Sequence, residues 1–203
     1  MKLGVFGGTF DPIHKGHVAV CQYVLSFLSL DSILFIPARN PRLREEKLPQ
    51  ATSTQRLEMV KIALREKSQF QVSDIELDRC GPSYTVDTLK EINNKFNSVS
   101  NDVYLIVGSD VINRFHQWHE YETILISNRL IVYGRPGYKG PQQLPNKLAK
   151  YKERIQFVNG PEYGFSATSI RNALSDGERN IDGLTPEVED YIKKEKIYVE
   201  EKQ

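Results

Sequence analysis

Two histidines three residues apart, His14 and His17, lie in Gly7-Gly8-Thr9-Phe10-Asp11-Pro12-Ile13-His14-Lys15-Gly16-His17, between a short apolar run and a longer one. With a strand before it and a helix after it, this segment is a turn at the carboxyl end of a strand. Free main-chain N–H groups and the positive end of the helix dipole favour a phosphate there. On a helical first turn the spacing puts both imidazoles on one side, and Gly16 between them leaves space for a bulky ligand. Gly7 and Gly8 would let the main chain come close to it. The rings could both point at one phosphate chain or form a helix-start pair with no ligand. A third alternative is a metal site adding Asp11 and Cys21, although that set lacks a standard zinc spacing. The turn is neither a G-x-G-x-x-G fingerprint nor a loop ending in Gly-Lys-Ser/Thr.

A second candidate is Gly164-Phe165-Ser166-Ala167-Thr168-Ser169-Ile170-Arg171, with hydroxyls where a helix should begin and an arginine about one turn inside. Hydroxyls cap and arginine grips phosphate, but an ordinary capped helix with a surface Arg reads the same. Gly108-Ser109-Asp110 follows an apolar run ending at Val107, which puts it at the same sheet edge as the first turn. Asp110 borders a ligand there or caps the following helix, and both roles are compatible.

These residues need a frame. Short apolar runs alternate with stretches of helical period, the pattern of an α/β protein with a parallel sheet. Predicted strands are Lys2 to Phe6, Ser32 to Pro37, Asp102 to Val107, Arg129 to Tyr133 and Arg154 to Val158. From His17 to Leu30 the chain is apolar nearly all round, as for a helix buried against a sheet. Leu57, Val60 and Leu64 mark a one-sided helix; Val86, Leu89 and Phe96 mark another. Val188, Tyr191 and Ile192 follow Thr185-Pro186, an N-cap with proline at the first helical position. Ala38 to Thr52 and Gly134 to Pro145 have loop composition. No internal repeat is visible, so the expectation is one domain, 1–203, with a short helical C-terminal part from about 166.

Composition excludes several classes. Of 203 residues, 39% are hydrophobic and 26% charged, far from disordered or fibrous extremes. Lys plus Arg number 27 against 26 Asp plus Glu, so the net charge of +1 holds no nucleic acid or anionic membrane by bulk field. An anionic ligand must be gripped locally. Cys21 and Cys80 are too few for a disulfide framework, which suits a reducing cytoplasm. No window approaches the ~20 apolar residues of a membrane span.

Gly8-Thr9-Phe10-Asp11-Pro12 followed by His14-Lys15-Gly16-His17 resembles the signature of the nucleotidylyltransferase superfamily. Ser166-Ala167-Thr168-Ser169-Ile170-Arg171 is similar to its second signature, with Ala167 departing from the usual hydroxyl. Ser83-Tyr84-Thr85-Val86-Asp87-Thr88-Leu89, Gly108-Ser109-Asp110 and Trp118 resemble the nicotinate-nucleotide adenylyltransferase family across almost the whole chain. The resemblance implies a Rossmann-like, doubly wound parallel sheet. It also implies transfer of AMP from ATP to nicotinate mononucleotide, with pyrophosphate leaving and Mg²⁺ held by the ATP phosphates instead of protein side chains.

By the same resemblance His14, His17 and Arg171 are catalytic, and Gly7, Gly8, Thr9, Phe10, Gly108, Asp110, Ser166, Thr168 and Ser169 border ATP. Thr85 faces the nicotinate, although as a bare residue it reads equally well as a helix N-cap. Trp118, the only tryptophan, offers a flat platform for the pyridine ring or else a core residue, with His116 and His119 flanking it. The family's Pro-Pro-His-Lys is Asn40-Pro41-Arg42-Leu43-Arg44 here, so Arg44 stands for the lysine. Arg135 matches a strand-end arginine on the mononucleotide side. Rival readings are the nicotinamide-mononucleotide or pantetheine-phosphate enzyme, and a regulator that binds nucleotide without turnover.

Overall fold

The computed structural model describes residues 1–39, 48–79, 81, 83–96, 103–134 and 144–199. Six strands form one sheet: β1 (Leu3–Gly8), β2 (Ser32–Pro37), β3 (Phe70–Val72), β4 (Val103–Gly108), β5 (Arg129–Gly134) and β6 (Ile155–Asn159), in the order β3-β2-β1-β4-β5-β6. Every neighbouring pair is parallel. The five expected strands are present, and β1 runs on through Gly7 and Gly8. The sixth, β3, was not expected. Its three residues carry exposed Gln71 in the middle, and only pairing of Ile33 with Phe70 and Phe35 with Val72 makes them a strand.

Seven α-helices join or follow the strands: α1 (Lys15–Phe27), α2 (Ser53–Leu64), α3 (Thr85–Lys95), α4 (Ser109–Ile112), α5 (Tyr121–Ser127), α6 (Ala167–Ser175) and α7 (Pro186–Lys194). Alternate strand residues enter two cores, as the period of a strand requires. Ile33, Phe35, Ile106 and Ile131 pack with Val24 of α1, Met59 of α2, Ile170 of α6 and Val188 of α7. Leu34, Leu105 and Val132, on the other face, pack with Leu89 of α3 and Ile124 of α5. Helices therefore cover both faces of a Rossmann-like sheet, whose chain reverses direction between β1 and β4. In open parallel sheets the ligand crevice lies outside the carboxyl ends of the strands at that point.

Three helix expectations are corrected. The first helix stops at Phe27, itself 58% exposed, so it is not buried all round. In α2 the buried stripe is Arg56, Met59, Val60 and Leu64, with Arg56 lying deeper than Leu57. In α3 the third inward apolar residue is Ile92, and Phe96 is an exposed C-cap, one residue past the end of the helix. Thr185 caps α7 as expected, its hydroxyl accepting from Val188 N at 3.4 Å.

Candidate active site

The turn after β1 is built around a reciprocal cap. His14 is the N-cap of α1, and its Nδ1 accepts from His17 N at 3.4 Å, while His17 Nδ1 accepts from His14 N at 3.3 Å. The two rings stack 3.7 Å apart at 22°. A nitrogen that accepts a main-chain hydrogen bond carries no proton, so in each neutral ring the proton sits on Nε2. Both histidines are thereby set as Nε2–H donors. Burial lowers the His14 pKa to about 4, which keeps that ring neutral at physiological pH.

Gly16 has a different role from the one expected. A Cβ there would lie 3.0 Å from His14 Nδ1 and 3.5 Å from the Phe165 Cβ, so the glycine makes room for the ring stack, not for a ligand. At Gly8 a Cβ would meet the Phe10 ring at 2.9 Å, whereas at Gly7 the nearest atom is 3.9 Å away. Phe10 is buried, and its ring meets His17 edge-on at 5.2 Å between centroids. Its side chain supports the imidazole from within the core instead of lining the surface of the turn.

Asp11 is the hub of the turn. Its carboxylate accepts from Gln50 N and Ala51 N, each at 3.0 Å, and from the Tyr198 hydroxyl at 2.7 Å. Arg171 Nη1 donates to the Asp11 main-chain oxygen at 2.7 Å, and Nη2 reaches the Thr168 hydroxyl at 3.3 Å. Ser166 caps α6 by accepting from Ser169 N at 3.2 Å, and Ser169 Oγ donates back to Ser166 O at 2.8 Å. The two sequence signatures are thus one site. Of the alternative metal set, the Asp11 oxygens and both imidazole Nδ1 atoms are engaged in hydrogen bonds, and Cys21 is fully buried. Among the described residues no cluster of three His, Cys, Asp or Glu could hold an ion.

At the neighbouring strand end Gly108 is the N-cap of α4 with no side-chain cap bond. Asp110 lies inside the first turn, so the capping alternative is overturned. Its carboxylate lies over the Gly108 Cα, 2.4 Å from where a Cβ would stand. Thr85 is likewise the first residue of α3, whose N-cap is Tyr84, and is not the cap. The Tyr84 ring lies 4.3 Å from that of His119, joining the segment of Thr85 to that of Trp118. Trp118 is half-buried with its ring 4.9 Å from Phe115, so it is partly a core residue, and its indole N–H has no partner among the described residues. His119 is exposed and His116 half-buried. Arg44 and Arg135 lie outside the described residues.

A cytidylyltransferase-like family model matches residues 5–173. The chain belongs to the cytidylyltransferase-like family. Within it, a "probable nicotinate-nucleotide adenylyltransferase" of Dictyoglomus turgidum is 39% identical over 204 residues, covering 100% of this chain and 98% of that one. A protein of the same name from Thermus thermophilus is 39% identical over 199 residues, covering 98% and 100%. The solved nicotinic acid mononucleotide adenylyltransferase of Plasmodium falciparum, complexed with NaAD, shares the fold at a TM-score of 0.76 and 22% identity over 97% of each chain.

In this family member three supporting residues escape a sequence reading. Arg56 is 1% exposed and donates to the main-chain oxygens of Thr9 (2.6 Å), Ala51 (3.3 Å) and Arg39 (3.3 Å). Tyr198 holds Asp11 from the C-terminal segment. Glu76 is buried and accepts from the Thr88 hydroxyl at 2.8 Å, below the start of α3. Burial raises its carboxyl above the ordinary range, against the lowering by the Thr88 and Ser83 hydroxyls. A charged residue in a one-sided helix and a tyrosine near the end of the chain carry no local mark of such roles.

Proposed function

We propose that the chain transfers AMP from Mg-ATP to nicotinate mononucleotide, yielding nicotinate adenine dinucleotide and pyrophosphate. A phosphate oxygen of the mononucleotide forms a bond to the α-phosphorus of ATP as the bond from that phosphorus to the β-bridging oxygen breaks, and the pyrophosphate carries away the electron pair. The acceptor is already an anion, so no general base is needed. The protein's part is to bring two anions into line and to stabilise the charge growing on the leaving group. The observation that carries this reading is the stacked pair His14 and His17, each set as an Nε2–H donor at a helix N-terminus that Arg171 also reaches.

His14, His17 and Arg171 hold the triphosphate, with Thr9, Thr168 and Ser169 beside them. Gly108 and Asp110 border the adenosine; Thr85 and Trp118 border the nicotinate. Mg²⁺ arrives with ATP as part of the substrate and offsets phosphate charge. We place the enzyme in the cytoplasm, a reading supported by its cysteine usage, and treat it as one catalytic unit because α6 and α7 share the core of the sheet. Among the described residues no helix is long and apolar enough to cross a membrane.

The test is pyrophosphate release from Mg-ATP with nicotinate mononucleotide, nicotinamide mononucleotide or phosphopantetheine as acceptor. Release is expected with the first, at least tenfold faster than with the others. A preference for either rival would reassign the acceptor side and leave the triphosphate side intact. No release with any of the three would leave a nucleotide-binding regulator.

A further inference from the structure

Tyr198 stands 187 residues from Asp11 in the chain, yet its hydroxyl donates to Asp11 Oδ1 at 2.7 Å. The ring is 8% exposed, in the same core as Ile13 and Ile170. Its backbone has φ 64°, an uncommon conformation for an aromatic residue. Burial, with the Asp11 carboxylate as its partner, raises the phenol far above its ordinary range, so it remains an O–H donor.

The Asp11 carboxylate has two sets of suitors. Ala51 N and the Tyr198 hydroxyl hold its Oδ1, and Gln50 N holds its Oδ2. Arg171 Nη1 forms a loose ion pair with the same Oδ2 at 4.0 Å, beyond hydrogen-bond range, and donates its hydrogen bond to the Asp11 main-chain oxygen at 2.7 Å. A carboxylate that lost a donor would have every reason to close on a guanidinium at that distance, because in a partly buried site the ion pair is only weakly screened. An Arg171 neutralised by Asp11 would be a poorer partner for phosphate.

We infer that Tyr198 is a positioning residue of the triphosphate grip: its hydroxyl holds the Asp11 carboxylate so that the loose ion pair with Arg171 does not close into a direct hydrogen bond, leaving the guanidinium fixed through the Asp11 carbonyl and its remaining N–H groups for ATP. The last described turn of the chain is thus part of the machinery of the first loop. The inference rests on the proposed reading of the site as an ATP site.

Tyr198→Phe removes one oxygen and keeps the ring. The variant and the wild type are compared by kinetics varied separately in Mg-ATP and in nicotinate mononucleotide, by direct binding of Mg-ATP, and by thermal unfolding. The expected result is a roughly tenfold rise in both KM and Kd for Mg-ATP, with KM for the acceptor within about twofold of wild type and the unfolding midpoint lowered only as far as the loss of one buried hydrogen bond requires. A purely structural tyrosine would lower the unfolding midpoint and the active fraction while leaving both KM values unchanged, and that result overturns the inference. As a second reading on the intact fold, 3-fluorotyrosine placed at position 198 keeps the donor. Its fluorine resonance is expected to move when Mg-ATP saturates the protein, and a resonance that stays in place also overturns the inference. If the wild type releases no pyrophosphate with nicotinate mononucleotide, the proposed reaction fails, while the two Mg-ATP dissociation constants still decide the role of Tyr198.

Discussion

His14 and His17 each accept a main-chain hydrogen bond at Nδ1, which sets the proton of the neutral ring on Nε2. Truncating either removes a donor aimed at developing negative charge, where one such donor is worth about 10²–10³ in turnover. His14→Ala and His17→Ala are therefore expected to lower kcat by roughly that factor while circular dichroism stays native; turnover within threefold of wild type would remove the residue from the mechanism. Losing half of the cap also weakens α1, by about 1 kcal/mol. The lowered His14 pKa has a consequence for stability as well. The native state holds this ring neutral down to about pH 4, whereas the unfolded chain protonates it near 6.5. Between those values the unfolded state binds more protons, so stability falls as the pH is lowered through that window. The contribution is roughly 2 kcal/mol at pH 5. Denaturant titrations at pH 7 and pH 5 should show a smaller acid loss in His14→Gln than in wild type, and equal losses would contradict the neutral ring.

Helix starts place the chemistry, and two caps were legible because a cap is a relation between residues three apart: Ser166 with Ser169 and Thr185 with Val188. The caps of Thr52 on Gln55 and of His14 on His17 obey the same relation but were not read from the sequence. The first turn of α1 depends on a close approach. Gly16→Ala places a methyl 3.0 Å from His14 Nδ1 and must push that ring off its partner. Turnover is expected to fall roughly tenfold or more with helical content unchanged, since a displacement of about 1 Å is that costly in an aligned site. An alanine variant of full activity would show that the stack is dispensable. Arg56 on α2 was not legible, because a lone arginine between polar and apolar positions reads as surface. Burial lowers its pKa, against the opposing pull of Asp11 and Tyr198, and three main-chain oxygens accept its hydrogen bonds. Arg56→Met leaves those oxygens unpaired and is expected to cost about 3 kcal/mol in unfolding free energy. A loss under 1 kcal/mol would mean that water replaces the guanidinium without penalty.

Across the whole molecule, the reversal between β1 and β4 brings the carboxyl ends of two strands, Gly8 and Gly108, to one crevice, and the C-terminal segment closes one side of it. A ligand that binds only this assembled crevice must stabilise the fold. Mg-ATP at a hundredfold excess over its Kd should add about 2.7 kcal/mol, read as a rise in the unfolding midpoint, and the rise should shrink in Arg171→Ala. An unchanged midpoint with Mg-ATP would place the nucleotide elsewhere.

The sequence by itself determined the five longer strands, the starts of α6 and α7, the histidine pair and the family resemblance, because each is written in neighbouring residues: apolar runs, caps and contiguous motifs. It did not determine β3, which is too short to show an apolar run, nor the true role of Gly16, nor the protonation of the imidazoles. The tertiary structure decided which side chains hold the loop that carries them. Arg171 and Tyr198 meet Asp11 across 160 and 187 residues, and Arg56 meets Thr9 across 47. Contacts at such separations follow from how strands order themselves in the sheet and which helix faces share a core, and no local pattern of residues encodes them.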